Sequence, residues 1–331
     1  MDDIQEMKLY IIGNGFDRAH DLKTSYWDFR TYLKRYAEDF LIELEKSYGY
    51  WPYDPDEYHV PKEKQRSALR EHDDVLYDEL WKTFEEQLGH PDETEIDSVC
   101  DSAIGSLQNL ESGPVQIEDT LNAYFREQFQ FIQELQGYLL KWVKQIRLNK
   151  AIVKKNELLN NSTDLFLTFN YTPTLERVYN IDPSNICHIH GGKPPYCSVA
   201  PIIGHGNKQA IEQRRKWQHE CEELFDEGRS SKNKAIADFY QRTFKDTGKA
   251  LLMNLSFFNR INDVDSIEVI GHSLGDVDMP YFKDILERVG SDIPWIVYYY
   301  DKDKKTDMEN MIRTIGVTQI RMEHSSKFGD R

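Results

Sequence analysis

Lys8-Leu9-Tyr10-Ile11-Ile12-Gly13-Asn14-Gly15-Phe16-Asp17 is the stretch that decides the fold. Its first half is short and apolar and is stopped at once by glycine, the composition of a strand buried on both faces of a parallel sheet. Gly13 to Asp17 reads as a tight turn, and Arg18 to His20 as the opening of a helix. Strand, glycine turn and helix in that order begin an α/β unit.

The same order of elements returns only late in the chain. Leu165–Phe169, Ile186–Ile189, Ile267–Ile270, Trp295–Tyr300 and Val317–Met322 read as strands, and Met279–Arg288 and Met308–Thr314 as helices. Pro201 to Gly206 looks extended, and Gln209 to Asn254 polar and helical. Strands alternating with helices predict a mainly parallel sheet. Between the two ends, Tyr26–Lys46, Ala68–Leu88 and Ile117–Leu159 have helical spacing. Leu76, Leu80, Phe84 and Leu88 share one side of the second stretch. Leu121, Phe125, Phe129, Ile132, Leu135, Leu139 and Val143 form a stripe along the third. Tyr48–Pro61 reads as an irregular surface segment, and Gly89–Gly113 as acidic and only partly ordered. The expected fold is α/β: a three-layer, Rossmann-like core of residues 1–30 and 160–331, with a large, mostly helical insertion over 31–159.

Charge and composition exclude several function classes. Asp and Glu number 57 against 41 Lys and Arg, a formal net charge of -16, which favours solubility and weakens any case for general nucleic-acid binding. The densest basic stretch, Lys141, Lys144, Arg147, Lys150, Lys154 and Lys155, reads as a solvated helical face, with ligand contact as the alternative. No apolar run approaches the ~20 residues that span a bilayer. The acidic opening Met1 to Lys8 does not fit a signal peptide. Cys100, Cys187, Cys197 and Cys221 contain no Cys-x-x-Cys pair, so a reduced, cytoplasmic setting is expected and no metal site is assigned.

Ligands of open α/β sheets bind beyond the carboxyl ends of strands. Four such ends combine glycine with polar residues: Gly13–Asp17, Asn170–Thr172, His190–Gly192 and Gly271–Asp278. Glycines at Gly13 and Gly15 permit close backbone approach, and free amides there would hold phosphate. The full G-x-G-x-x-G pattern is absent because Arg18 occupies its last position, so a turn that simply needs glycine is the alternative. Asn14 and Asp17 are candidates for ribose hydroxyls, and Arg18 for a phosphate. Asn170 follows an apolar strand and can hold a water or a sugar hydroxyl, or cap a turn. His188 and His190 face the same side of a strand, and His190 before two glycines suits a general base, with a packed core histidine as the alternative. His205, between Gly204 and Gly206, is a weaker second corner. Gly271-His272-Ser273-Leu274-Gly275 also matches the nucleophile elbow G-x-S-x-G, with Asp301 or Asp303 and His324 following in hydrolase order. The elbow falls late, with little room for the usual sheet after it. Scattered acids leave a nuclease as a further option without a compact metal motif.

Ile11-Ile12-Gly13-Asn14-Gly15-Phe16-Asp17, with His20, Leu22, Thr24, Ser25 and Tyr26 after it, resembles the opening of the AbiH proteins, bacterial abortive-infection proteins that act against phage. Leu167–Thr172, Ile189-His190-Gly191, Ile203–Gly206 and Gly271–Asp278 resemble the later blocks of that family in the same order. More distantly, the pattern is similar to sirtuin-like NAD-binding proteins. That resemblance implies NAD as substrate, with its phosphates over Gly13, Asn14 and Gly15 and with Arg18, Gly271, Ser273 and Asp278 as further cofactor contacts. It implies His190, Asn170 and Asp17 as catalytic residues, with Asp17 and Asp278 orienting groups or stabilising charge. The implied reaction is hydrolysis of NAD to nicotinamide and ADP-ribose. A non-catalytic nucleotide sensor or defence-complex partner is the alternative. A phage-derived activator and a homo-oligomer are consistent with either role. The sirtuin cysteine zinc module is missing, which argues against deacylation.

Overall fold

A computed structural model of the chain describes residues 6–54, 56, 60–108, 130–155, 158 and 162–327. Six strands, β1 (Lys8–Ile12), β2 (Leu165–Thr168), β3 (Ile186–His188), β4 (Ser266–Ile270), β5 (Trp295–Tyr299) and β6 (Ile320–His324), form one sheet. Its order is β3-β2-β1-β4-β5-β6, and every neighbouring pair is parallel. The mixed α/β class expected from the sequence is therefore present. β1 occupies the centre, where the order reverses. Leu9 pairs with Leu165 on one side and Ile267 on the other, and Ile12 with Thr168 and Ile270.

Alternation along β1 explains why both faces are apolar. Leu9 and Ile11 join one packed cluster with Leu167, Val269, Phe258 and Phe282, while Tyr10 and Ile12 join another with Phe16, Phe166, Leu175 and Tyr179. Each fully buried side chain of this kind stabilises by about 1.5–3 kcal/mol. Helices Met279–Val289 and Lys305–Thr314 cover the first face, and Asn14–Ala19 and Thr174–Val178 the second.

The chain divides into two compact units. One comprises Met1–Ser25, Leu139–Ile202 and Asp246–Arg331 and contains the sheet. The other comprises Tyr26–Tyr138 and Ile203–Lys245 and is helical among its described residues. Residues 139–159, grouped from sequence with the insertion, lie in the sheet unit, and 203–245, grouped with the core, lie in the helical one. The latter stretch folds into the helices Lys208–Glu223 and Glu227–Thr243, whose apolar face packs Ile211, Ile236 and Tyr240 around Cys100.

Several local expectations change. Tyr26–Lys46 is two helices, Tyr26–Tyr36 and Glu38–Lys46, because Ala37 leaves helical geometry at φ −157° and ψ 55°. Leu121, Phe125 and Phe129 lie outside the described residues, and the described part of that helix is Gln130–Gln145. Pro201–Gly206 forms no strand; His205 makes one isolated bridge to Phe244. The basic stretch is not one solvated face, since its helix ends at Gln145 and Lys155 is buried.

Lys155 Nζ lies 2.8 Å from Glu268 Oε2 on β4 and donates to the Tyr298 hydroxyl at 2.9 Å. Lys8 Nζ reaches the other Glu268 oxygen at 3.1 Å. Burial alone pushes the Glu268 carboxyl up, but Lys155 and Lys8 outweigh it and hold it below the usual range. Removing one partner of such a pair strands a buried charge, at a cost of about 3–5 kcal/mol. Glu268→Gln is therefore expected to lower stability by that order in urea unfolding, and Lys155→Met combined with it to restore part of the loss.

Candidate functional site

The site is built where β1 and β4 end side by side. Gly13 N donates to Ile270 O at 2.9 Å, and Gly15 N donates to Gly271 O at 2.7 Å. The two turns touch backbone to backbone. A Cβ on Gly13 would stand 2.4 Å from His272 Cα, and one on Gly271 would stand 2.3 Å from Phe16 N. Gly271 also has φ +66°, a left-handed conformation that costs other residues about 1–2 kcal/mol. The expected tight turn at Gly13–Asp17 is instead the start of a six-residue helix, Asn14–Ala19, with Gly13 at its N-cap. The glycines thus serve strand-end packing, and two of the amides offered for phosphate already have carbonyl partners.

Asp17 is buried under this turn. Its oxygens accept from the Thr172 hydroxyl at 2.5 Å and the Thr174 hydroxyl at 2.7 Å. Burial lifts its pKa to about 6, while Thr172, Thr174, Asn170 and the charge of His188 pull in the opposite direction. Thr172 closed the Asn170–Thr172 strand end in the sequence without a role of its own, and Thr174, beyond Pro173, was not singled out; the signal was the pair of hydroxyls at i and i+2 just past Asn170.

Asn170 joins β2 to β1. Its amide Nδ2 donates to Gly13 O at 3.1 Å, and its buried Oδ1 has no hydrogen-bond partner among the described residues. His188, at the end of β3, has acceptors on both ring nitrogens: Asn170 O at 3.2 Å from Nδ1 and Glu176 Oε1 at 2.8 Å from Nε2. Glu176 Oε1 and Asn170 O thus hold the ring in place from its two nitrogens. Glu176 was not anticipated, since it sits in a short helix, Thr174–Val178, with no motif around it.

His190 lies farther along the same chain segment and is 3% exposed. Its Nε2 is 3.4 Å from Asp278 Oδ1, and His272 Nε2 is 3.3 Å from Asp278 Oδ2. Leu274 N donates to His272 Nδ1 at 2.9 Å, so the proton of a neutral His272 ring resides on Nε2 and faces the carboxylate. Phe169 packs edge-on against both rings, with centroids 5.0 Å from His190 and 4.4 Å from His272. His272 was visible in the sequence only as a member of the Gly271–Asp278 block and of the elbow motif, with no role of its own. A histidine two residues before a buried leucine in a glycine turn carried no recognisable signal of its own.

The structure brings Gly13, Asp17, Asn170, Gly271 and, through Asp278, His190 into adjoining contacts at one end of the sheet. Asn14, Gly15, Arg18 and Ser273 are exposed, and Asn14 Oδ1 accepts from the Thr24 hydroxyl at 2.5 Å. A cavity of about 520 Å³ lies instead along β3 and is lined by His188 but by none of Gly13, Asn14, Asn170, His190 or Ser273. The hydrolase arrangement does not form. Ser273 follows β4, while His324 closes β6, two strands away, with its Nδ1 on Ser326 Oγ at 2.9 Å. His205 is a packed histidine of the helical unit. It is fully buried on Tyr240 O and Thr243 Oγ1, accepts from Asn207 N, and burial lowers its pKa to about 4. Among the described residues no group of three or more His, Cys, Asp or Glu is arranged to hold a metal, and no helix is long and apolar enough to cross a membrane.

Two outcomes follow. Gly271→Ala combines a left-handed backbone with backbone overlap and is expected to cost roughly 2–4 kcal/mol in denaturant unfolding. Asp17 holds its proton more tightly when folded than when unfolded, so its contribution to stability is present below pH ~4 and is lost as pH rises through about 6. Asp17→Asn keeps an acceptor for the threonines without the charge. Thermal melts at pH 5 and pH 7.5 are expected to show the variant gaining on wild type at the higher pH.

A family model described as bacteriophage abortive infection AbiH matches residues 9–299. No curated protein and no solved structure matches the chain.

Proposed function

Because the chain belongs to the bacteriophage abortive infection AbiH family, we propose that it is an anti-phage protein that binds a nucleotide at the carboxyl end of its sheet and hydrolyses NAD there. The observation that carries the catalytic part is the Asp278 carboxylate set between His190 and His272. A carboxylate beside an imidazole stabilises the imidazolium that forms when the ring takes a proton. The strand order, reversing at β1 and β4, supports a Rossmann-like crevice at that edge. The substrate assignment rests on the resemblance to sirtuin-like proteins.

In this reaction the glycosidic bond breaks with its electron pair going to the nicotinamide nitrogen. Water forms the new bond to the ribose carbon, and its proton passes to His190. The buried Asn170 Oδ1 supplies an acceptor for a ribose hydroxyl or for the attacking water. Burial strengthens each of these interactions relative to water. Phosphate contact falls to Arg18 and Ser273, which are exposed, rather than to the Gly13 and Gly15 amides.

Nucleotide chromatography of cells before and during phage infection tests the proposal without knowledge of the activator. Wild type is expected to convert NAD to nicotinamide and ADP-ribose in equal amounts. His190→Ala is expected to reduce this by about 10²–10⁴-fold, and Asp278→Asn and Asn170→Ala to reduce it as well, with melting temperatures recorded beside each. Protection with NAD unchanged and another nucleotide degraded would overturn the NAD assignment. Binding of NAD without turnover would make the chain a nucleotide sensor.

A further inference from the structure

The cavity along β3 has no part in the chemistry above. β3 is the terminal strand of the sheet, and the cavity of about 520 Å³ opens beside it, between the 196–202 segment and the helices Thr247–Met253 and Leu255–Arg260. Its volume falls within the ~300–1,000 Å³ typical of small-molecule sites. Ile186, Val199, Ile202, Met253 and Phe257 give it apolar walls. In a chain with 57 acidic residues and a net charge of -16, no Asp or Glu lines it. Arg260 is its one Lys or Arg, and His188, which faces Glu176, lines it as well.

Arg260 is fixed at the rim. Two of its N–H groups donate to Ser184 O and Asn185 Oδ1, each at 2.6 Å, and a guanidinium has five. The remaining donors suit a planar anion, which arginine binds through paired hydrogen bonds. Hydroxyls of Ser184, Ser198 and Ser256 add neutral donors around the same space.

We propose that this cavity binds a small organic anion: an apolar, flat body against Ile186, Val199 and Phe257, and a carboxylate or phosphate on Arg260. Because His188 also holds the Asn170 carbonyl, an occupant would touch the wall it shares with the candidate site.

The full-length protein titrated with anilinonaphthalene sulfonate, followed by fluorescence, tests this directly. Saturable binding at one site is expected. The uncharged N-phenylnaphthylamine should bind about tenfold more weakly, as should the dye to Arg260→Gln, since one charge-assisted contact is lost. Val199→Trp fills the cavity and should abolish binding while the melting temperature holds. Benzoate and phenyl phosphate as competitors separate a carboxylate site from a phosphate site. The proposal is overturned if wild type does not bind the dye or if the uncharged analogue binds as tightly. It also fails if Val199→Trp leaves binding intact, or if neither competitor displaces the dye. Should Arg260→Gln unfold, the uncharged analogue and Val199→Trp still decide.

Discussion

The close approach of the β1 and β4 turns is the constraint on which the rest of the sheet edge depends. Two backbone hydrogen bonds, Gly13 N to Ile270 O and Gly15 N to Gly271 O, tie two segments more than 250 positions apart in the chain. Neither bond is strong alone, since each contributes only about 0.5–1.5 kcal/mol net. Their importance is geometric. They place Phe16 N so near Gly271 that no side chain fits there, and the same approach puts His272 directly behind Gly13. From that point the β4 turn carries Asp278 back toward His190, and the β1 helix carries Asp17 under Thr172 and Thr174. A parallel sheet naturally gathers loops at one edge, but this pairing sets which atoms of those loops meet.

The sheet was legible in the sequence because its strands are short apolar runs ended by glycine or by polar turns. Leu165–Thr168 and Ile267–Ile270 are both fully buried, and among the described residues no helix of comparable length offers such a run. Their edges moved by a residue or two because a strand end is set by its partner: β2 stops at Thr168, whose hydroxyl accepts from Asn170 N, a side-chain bond that competes with the ladder. The helical unit was harder to delimit. Ile203–Lys245 is polar and has weak amphipathic contrast, and only packing on Cys100 and its neighbours assigns it to that unit.

At the site, Asn170, Asp17 and His190 were legible as polar residues at or just beyond strand ends; Asn170 and Asp17 lie together beside Gly13, and His190 stands against Asp278. The partners that define their chemistry were not. His188 looked equivalent to His190 on the same strand face, yet one meets Glu176 and the other Asp278. That divergence follows from the turn after β3. His190 O accepts from Ile202 N and Gly191 adopts φ +71°, and His190 meets Asp278 rather than the helix Thr174–Val178 that carries Glu176. No sequence pattern encodes such a turn beyond the glycine itself. The glycine motif misled in the opposite sense: a phosphate loop and a tight backbone crossing ask for the same residue, and only the positions of the amide hydrogens tell them apart.

Two carboxylates of this edge are held in different electrical settings by that geometry. Asp17 faces hydroxyls, which donate to a carboxylate without carrying charge, so burial prevails and its pKa climbs to about 6. Asp278 faces two imidazoles and keeps 16% of its side chain in solvent. Phe169 meets the rings of both His190 and His272 in T-shaped contacts. Asp17 and its threonines are joined to Gly13 through Asn170. The two acids of this edge thus differ in their surroundings: Asp17 is buried among neutral hydroxyl donors, and Asp278 stands between two imidazoles with part of its side chain in solvent.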